Sequence, residues 1–259
     1  MRIRHPLAAG AVLAAVALSA TAIPALAESP AEPAQAECPA GATCDGFEDQ
    51  TGAAPGGEWT VGASDCTGTG TAEIDTEVAH GGAKSVRVDG GGGFCNHVFV
   101  GRALPADAEW FRLYLNHSTA QPVAHTTMIA MEDGNDNGTD LRFGGQNGAL
   151  QWNRESDDAT LPAQSPAGVA MSRPLAVDTW TCVEFRVAGG DLATWVDGEP
   201  VEGLIADGDP TPDVDRQWLA NGGWSPVLVD LRLGWESYGD DADTLWYDDV
   251  AFGPERIGC

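Results

Sequence analysis

The stretch EWFRLYLN, residues 109–116, decides the fold class. Successive side chains of a β-strand point to opposite faces. Phe111, Leu113 and Leu115 therefore share one face, while Trp110, Arg112, Tyr114 and Asn116 share the other. One apolar row and one polar-aromatic row predict a strand with a core side and a surface side. TDLRFGGQ, residues 139–146, repeats the pattern with Leu141 and Phe143 inward and Arg142 opposite. The Gly144-Gly145 pair that follows is expected to let the backbone approach a ligand closely.

Outward from these two stretches, short apolar runs recur between clusters of Gly, Pro and Asp. They lie at Ser85–Val88, His97–Val100, Thr126–Met131, Leu150–Trp152, Thr181–Val187, Leu192–Val196, Val227–Trp235 and Leu245–Phe252. With 33 Gly and 16 Pro among 259 residues, short strands and many turns are favoured over long helices. No unit repeats at the period of roughly 20–50 residues that marks propellers and solenoids. The expected architecture is all-β, two antiparallel sheets packed as a sandwich.

Composition narrows the partners. Thirteen Lys plus Arg face 39 Asp plus Glu, a formal charge of −26 with Lys84 as the single lysine. Such a field repels nucleic acid and anionic membrane surfaces, so neither is an expected partner. Nine tryptophans and 43% apolar residues supply a core that disordered acidic chains lack. Residues 1–27 open with Arg2 and Arg4, continue through the apolar run Leu7–Ala22 and end in Ala25-Leu26-Ala27, the three parts of a secretory signal peptide. A membrane anchor is the weaker reading, since the run is Ala-rich and shorter than the ~20 residues that span a bilayer. Residues 28–43 read as a flexible linker and 44–259 as the domain of an extracellular, monomeric protein.

Six cysteines in an exported chain suggest three disulfides. Spacing proposes Cys38 with Cys44, Cys66 with Cys95 and Cys182 with Cys259, one of many pairings that six cysteines allow. No close pair of the C-x2-C kind supports a zinc site. The loop DGNDNG, residues 133–138, begins like an EF-hand, but position 12 is Gly144 rather than Glu, so it reads as a turn. G-x-S-x-G, H-E-x-x-H and G-x-x-x-x-G-K are absent, which removes support for esterase, zinc-protease and nucleotide chemistry. Acids beside aromatics in CDGFE (44–48) and LWYDDVAF (245–252), with the Gly-rich turn AHGGAKS (79–85), would suit calcium; ordinary rim acids are the competing reading. His125, Arg142, Gln146 and Tyr238 lie near strand ends and together hold a base, a cation, an amide and a phenol. That inventory suits proton abstraction next to a carboxylate.

LRFGGQNGALQWNRESDDATLPAQSP (141–166) and LRLGWESYGDDADTLWYDDVAF (231–252), with CDGFEDQTG (44–52) and the final IGC, resemble the core domain of a secreted protein co-induced with cellulases, a polysaccharide-lyase-like family. The resemblance runs from about Cys44 to Cys259. It implies a β-jelly roll with a concave groove and one structural calcium held by Glu48, Asp248 and a carbonyl in the AHGG turn, Gly81. Cys182 with Cys259 would be a disulfide of the family. His125, Arg142, Gln146 and Tyr238 would form the catalytic set. Substrate contacts are expected from Arg112, Tyr114, Trp152 and Arg154. The leading expectation is a polysaccharide-binding protein with β-elimination on uronate chains as its candidate activity, which the family alone does not settle. The alternative is a non-catalytic carbohydrate-binding module, with Trp110, Tyr114 and Trp152 or Trp224 as stacking surfaces. Fold alone does not choose between them.

Overall fold

A computed structural model describes residues 34–63, 68–94 and 96–259. The expected pairing of Cys66 with Cys95, the signal segment and residues 28–33 lie outside these. In chain order the strands are β1 (Thr43–Asp45), β2 (Thr60–Gly62), β3 (Thr71–Asp75), β4 (Ser85–Gly90), β5 (Asn96–Ala103), β6 (Trp110–His117), β7 (Thr126–Asp133), β8 (Thr139–Gln146), β9 (Ala149–Arg154), β10 (Ala159–Leu161), β11 (Thr181–Ala188), β12 (Asp191–Val196), β13 (Glu199–Ala206), β14 (Asp230–Ser237) and β15 (Asp243–Gly253). Two short helices, α1 (Pro166–Val169) and α2 (Arg216–Ala220), complete the described elements.

Sheet I runs β13-β12-β11-β6-β15-β4-β3, with β1 added alongside β15, and sheet II runs β10-β9-β8-β7-β14-β5-β2. The two antiparallel sheets form the expected jelly-roll sandwich. Short strands and edge strands were the ones that periodicity did not announce: β1, β2 and β10 have three residues each. β13, on the edge of sheet I, contains Pro200, which an edge tolerates because one row of N–H groups has no partner there. β14 begins at Asp230, three residues later than the apolar run suggested. Gly134–Gly138 is a turn between β7 and β8, and Asp133 Oδ1 at the end of β7 accepts the N–H groups of Asn135 and Val227.

The described part of the segment read as linker is tied to the domain. Cys38 is bonded to Cys44, and Thr43 already pairs with Phe252 of β15. Cys182 is bonded to Cys259, and no cysteine among the described residues is free. None of the described helices is long and apolar enough to cross a membrane.

Inward residues of both sheets interlock. Phe111 and Phe185 from sheet I stack at 4.8 Å, and Phe185 meets Trp152 of sheet II edge-on at 5.1 Å. Trp152 Nε1 donates to Thr194 Oγ1 across the sandwich at 2.8 Å. Tyr247 of β15, wholly buried, reaches from sheet I to sheet II. Its hydroxyl lies 2.7 Å from the Gly234 carbonyl and 2.9 Å from that of Met128. Those two carbonyls sit where the registers of β7 with β14 and with β8 slip by one residue. Such bulges bend a sheet and re-aim its side chains.

Candidate functional site

Alternation along β14 sets which of its side chains stand on the outer face of sheet II. Leu231, Leu233 and Trp235 of β14 point into the core, so Glu236 points out. His97 of β5 lies directly across from Glu236, with Nε2 2.8 Å from Oε1. On β8, Arg142 turns its guanidinium toward two carboxylates: Nη2 donates to Glu155 Oε1 at 2.5 Å, and Nε lies 3.6 Å from Glu236 Oε2. Tyr238, just past β14, donates its N–H to the His125 carbonyl at 3.1 Å. The two rings stack 5.2 Å apart, and the Arg142 guanidinium is 5.9 Å from the Tyr238 ring. Phe94, 78% exposed, meets Tyr238 edge-on.

Protonation follows from this packing. Burial, aided by the Arg142 charge, lowers the His125 pKa against the pull of Glu236, so the imidazole is neutral at neutral pH. Burial raises the Tyr238 pKa, and its hydrogen bond to Glu236 raises it further, so the phenol keeps its proton. Burial would raise the Glu236 carboxyl too, but His97, Arg142 and Tyr238 outweigh it and bring the value to about 2. A neutral base, a protonated phenol and a cation therefore share one spot.

Of the expected catalytic set, His125, Arg142 and Tyr238 are brought together. Gln146 stands in an amide group instead, where its Oε1 accepts from Gln164, whose amide also contacts Gln151. Gly144 has a different duty from the one expected. A Cβ there would lie 2.0 Å from the Thr126 carbonyl, so the glycine admits the neighbouring strand and not a ligand.

The expected substrate contacts need correction. Trp152 is fully buried between Phe143 and Phe185 and shows no ring face to a sugar. Arg154 shares its inward parity: it is 1% exposed, lies over Trp218 at 4.7 Å and Trp224 at 5.5 Å, and is paired with Asp157. Trp224 is thereby engaged as well. Arg112 and Tyr114 do face outward, but from sheet I, on the opposite side of the sandwich from Arg142. Glu236, His97 and the Glu155 contact were not singled out from sequence. The available signal was Glu236 itself, an acid with the parity of Arg232 in a strand whose other parity is Leu, Leu and Trp.

The family model of the Cip1-like core domain, a polysaccharide-lyase-like family, matches residues 46–255. The chain belongs to this family. A solved structure of the cellulose-induced protein Cip1 is 36% identical, with a TM-score of 0.77, and the match covers 84% of this chain and 99% of that one. An endo-β-1,4-glucuronan lyase from the fungus Trichoderma reesei is 14% identical, with a TM-score of 0.47 over 76% of this chain and 90% of that one. A structure reported with endo-acting O-glycanases that human gut microbiota express to initiate mucin breakdown is 11% identical, with a TM-score of 0.50 over 82% of this chain and 98% of that one. This last likeness is one of fold. No curated protein matches the chain in sequence.

In this Cip1-like chain the three expected calcium ligands meet around one turn. Asp248 Oδ2 accepts the N–H groups of His80 at 2.8 Å and Gly81 at 3.0 Å, and Glu48 Oε1 accepts those of Ala83 and Lys84. Gly81 thus offers Asp248 its amide N–H, where a carbonyl ligand was expected. The Lys84 ammonium holds the carbonyls of Glu48 and Gln50. A register slip between Asp248 and Ala251 of β15, with Asp249 at φ 46°, turns Asp248 and Asp249 to the same side. Burial holds the Asp248 carboxyl up at about 7 although the Gly81 N–H works against it, and the Asp249 charge adds to the rise. Among the described residues no three His, Cys, Asp or Glu side chains converge as metal ligands. Glu48 and Asp248 are oxygen donors of the kind a hard cation takes, while the Glu48 and Gln50 carbonyls beside them are held by Lys84.

Proposed function

We propose that this is an extracellular, monomeric protein that binds polysaccharide on the outer face of sheet II and cleaves uronate-containing chains there by β-elimination. The observation that carries the proposal is the contact of His125, Tyr238 and Arg142 within one sugar's reach. Arg142 would take the uronate carboxylate and stabilise the charge that develops as the C5–H bond breaks. His125, neutral, accepts that proton. The C4–O4 bond then breaks, the C4–C5 double bond forms, and Tyr238 protonates the leaving oxygen. Exposed Phe94 supplies an adjoining ring face. Ultraviolet absorbance of the unsaturated product on glucuronan, alginate and pectin tests the reaction. Silence on all three, with polymer binding retained, leaves the non-catalytic module. That second reading has its own support, because Glu155 and Glu236 already match the charge of Arg142.

Asp248 and Glu48 would hold a calcium ion that ties the β1–β2 region to β15. Bound there, the ion supplies stability and no chemistry, since His125, Arg142 and Tyr238 belong to sheet II and its flanking loops.

A further inference from the structure

Arg112 on β6 is 3% exposed, yet its guanidinium makes no hydrogen bond or ion pair among the described residues, and its Nε is buried without a partner. Its recorded contact is the Tyr114 ring, 5.6 Å away. Of the ten described arginines, Arg112, Arg173 and Arg216 hold no carboxylate, and of these three only Arg112 is buried. Arg87, Arg102, Arg142, Arg154, Arg186, Arg232 and Arg256 each hold a carboxylate. Strand register shows which carboxylate Arg112 ought to have, because Glu184 of β11 lies directly across from it. Both oxygens of Glu184 are taken. Oε2 accepts from Arg256 Nε at 3.0 Å and Nη2 at 2.8 Å, and Oε1 accepts from the Gly258 N–H at 2.7 Å. Asp249, which lines a cavity of about 130 Å³ together with Arg112, is held by His80 at 2.7 Å.

Arg112 also lines a larger cavity of about 450 Å³, walled by Tyr114, Pro39, Ile257, Gly258 and Cys259, with exposed Glu37 in its lining. A buried guanidinium that no carboxylate is bonded to has donors left to satisfy. A ligand carboxylate would supply acceptors in the two-pronged geometry a guanidinium favours. Tyr114, Pro39 and Ile257 offer an apolar wall for the body that carries it, and the volume falls in the range of small-molecule sites.

We infer that this cavity on the outer face of sheet I is a binding site for a small carboxylate ligand with a ring-sized body, separate from the His125–Tyr238 cluster. The probe is D-glucuronate, titrated calorimetrically into the full protein carrying Arg142→Gln, which removes the cation of the His125–Tyr238 cluster from the measurement. D-Glucose, acetate and sulfate are run beside it. One saturable glucuronate site is expected, with acetate weaker and glucose silent. Adding Arg112→Gln should weaken glucuronate at least tenfold. Ile257→Trp, which fills the cavity and leaves Arg112 in place, should do the same and decides the matter if the Arg112 variant does not fold. Absence of glucuronate binding, its survival in Ile257→Trp, or sulfate binding as tightly as glucuronate would each overturn the assignment.

Discussion

The imidazole of His125 lies almost parallel to the phenol of Tyr238, ring centres 5.2 Å apart and planes 8° off. Tyr238→Phe keeps this stack and removes only the hydroxyl. Uronate cleavage should then fall by about 10²–10⁴-fold, as for loss of a proton-transfer group, with polymer binding little changed. If binding and cleavage fall together, the phenol serves packing and not proton transfer.

Burial of His125 places the acid limb of the kcat/KM profile below the ordinary imidazole value of 6.5, because the base must lose its proton before it works. The raised Tyr238 pKa predicts no alkaline limb below about pH 10, the ordinary phenol value. Rates measured across pH check both. An acid limb above 6.5 would remove His125 from the role of base.

Glu236 couples the same cluster to stability. Its folded pKa of about 2 lies below the ordinary 4.5, so its contribution is complete above 4.5 and is lost as pH falls through about 2. The shift corresponds to about 3 kcal/mol. Urea unfolding at pH 6 and pH 2.5 should show stability falling over this window, and the fall should be smaller in Glu236→Gln.

Glu155 occupies the Arg142 Nη2 that a uronate would need, and its side chain is 30% exposed. Glu155→Gln should tighten uronate binding by up to about fivefold, the scale of a partly exposed ion pair. A neutral xylan or cellulose oligosaccharide should bind as before. Unchanged or weaker uronate binding would show that Glu155 orients Arg142 and does not compete for it.

A calcium ion present at 100 times its Kd adds about 2.7 kcal/mol to the folded state. For a domain of this size that is roughly 5–10 °C in melting temperature. Chelation should lower the melting temperature by that amount, and Asp248→Ala should erase the difference between calcium and chelator. A calcium response that persists in Asp248→Ala would place the ion elsewhere.

Alternation in residues 109–116 made the faces of β6 legible, and Phe111, Leu113 and Leu115 are indeed fully buried. It could not say which sheet a strand joins. Arg112 and Arg142 have the same outward character but stand on opposite sides of the sandwich, because sheet membership is fixed by pairings distant in sequence. Trp152 and Arg154 share the parity of buried Leu150, so their inward position was readable, although a charged side chain ending among tryptophans was not. Glu236 has the outward parity of Arg232 in β14, so its face was readable, but its partners His97 and Arg142 come from other strands of sheet II and alternation cannot name them.

The Tyr247 hydroxyl anchors the carbonyls of Met128 and Gly234 from behind, using a side chain of the other sheet. The curvature under the His125–Arg142–Tyr238 cluster is thus supported by a residue that no ligand on the outer face can touch. Sugar preference can drift by exchanging outer side chains while the scaffold beneath keeps its shape.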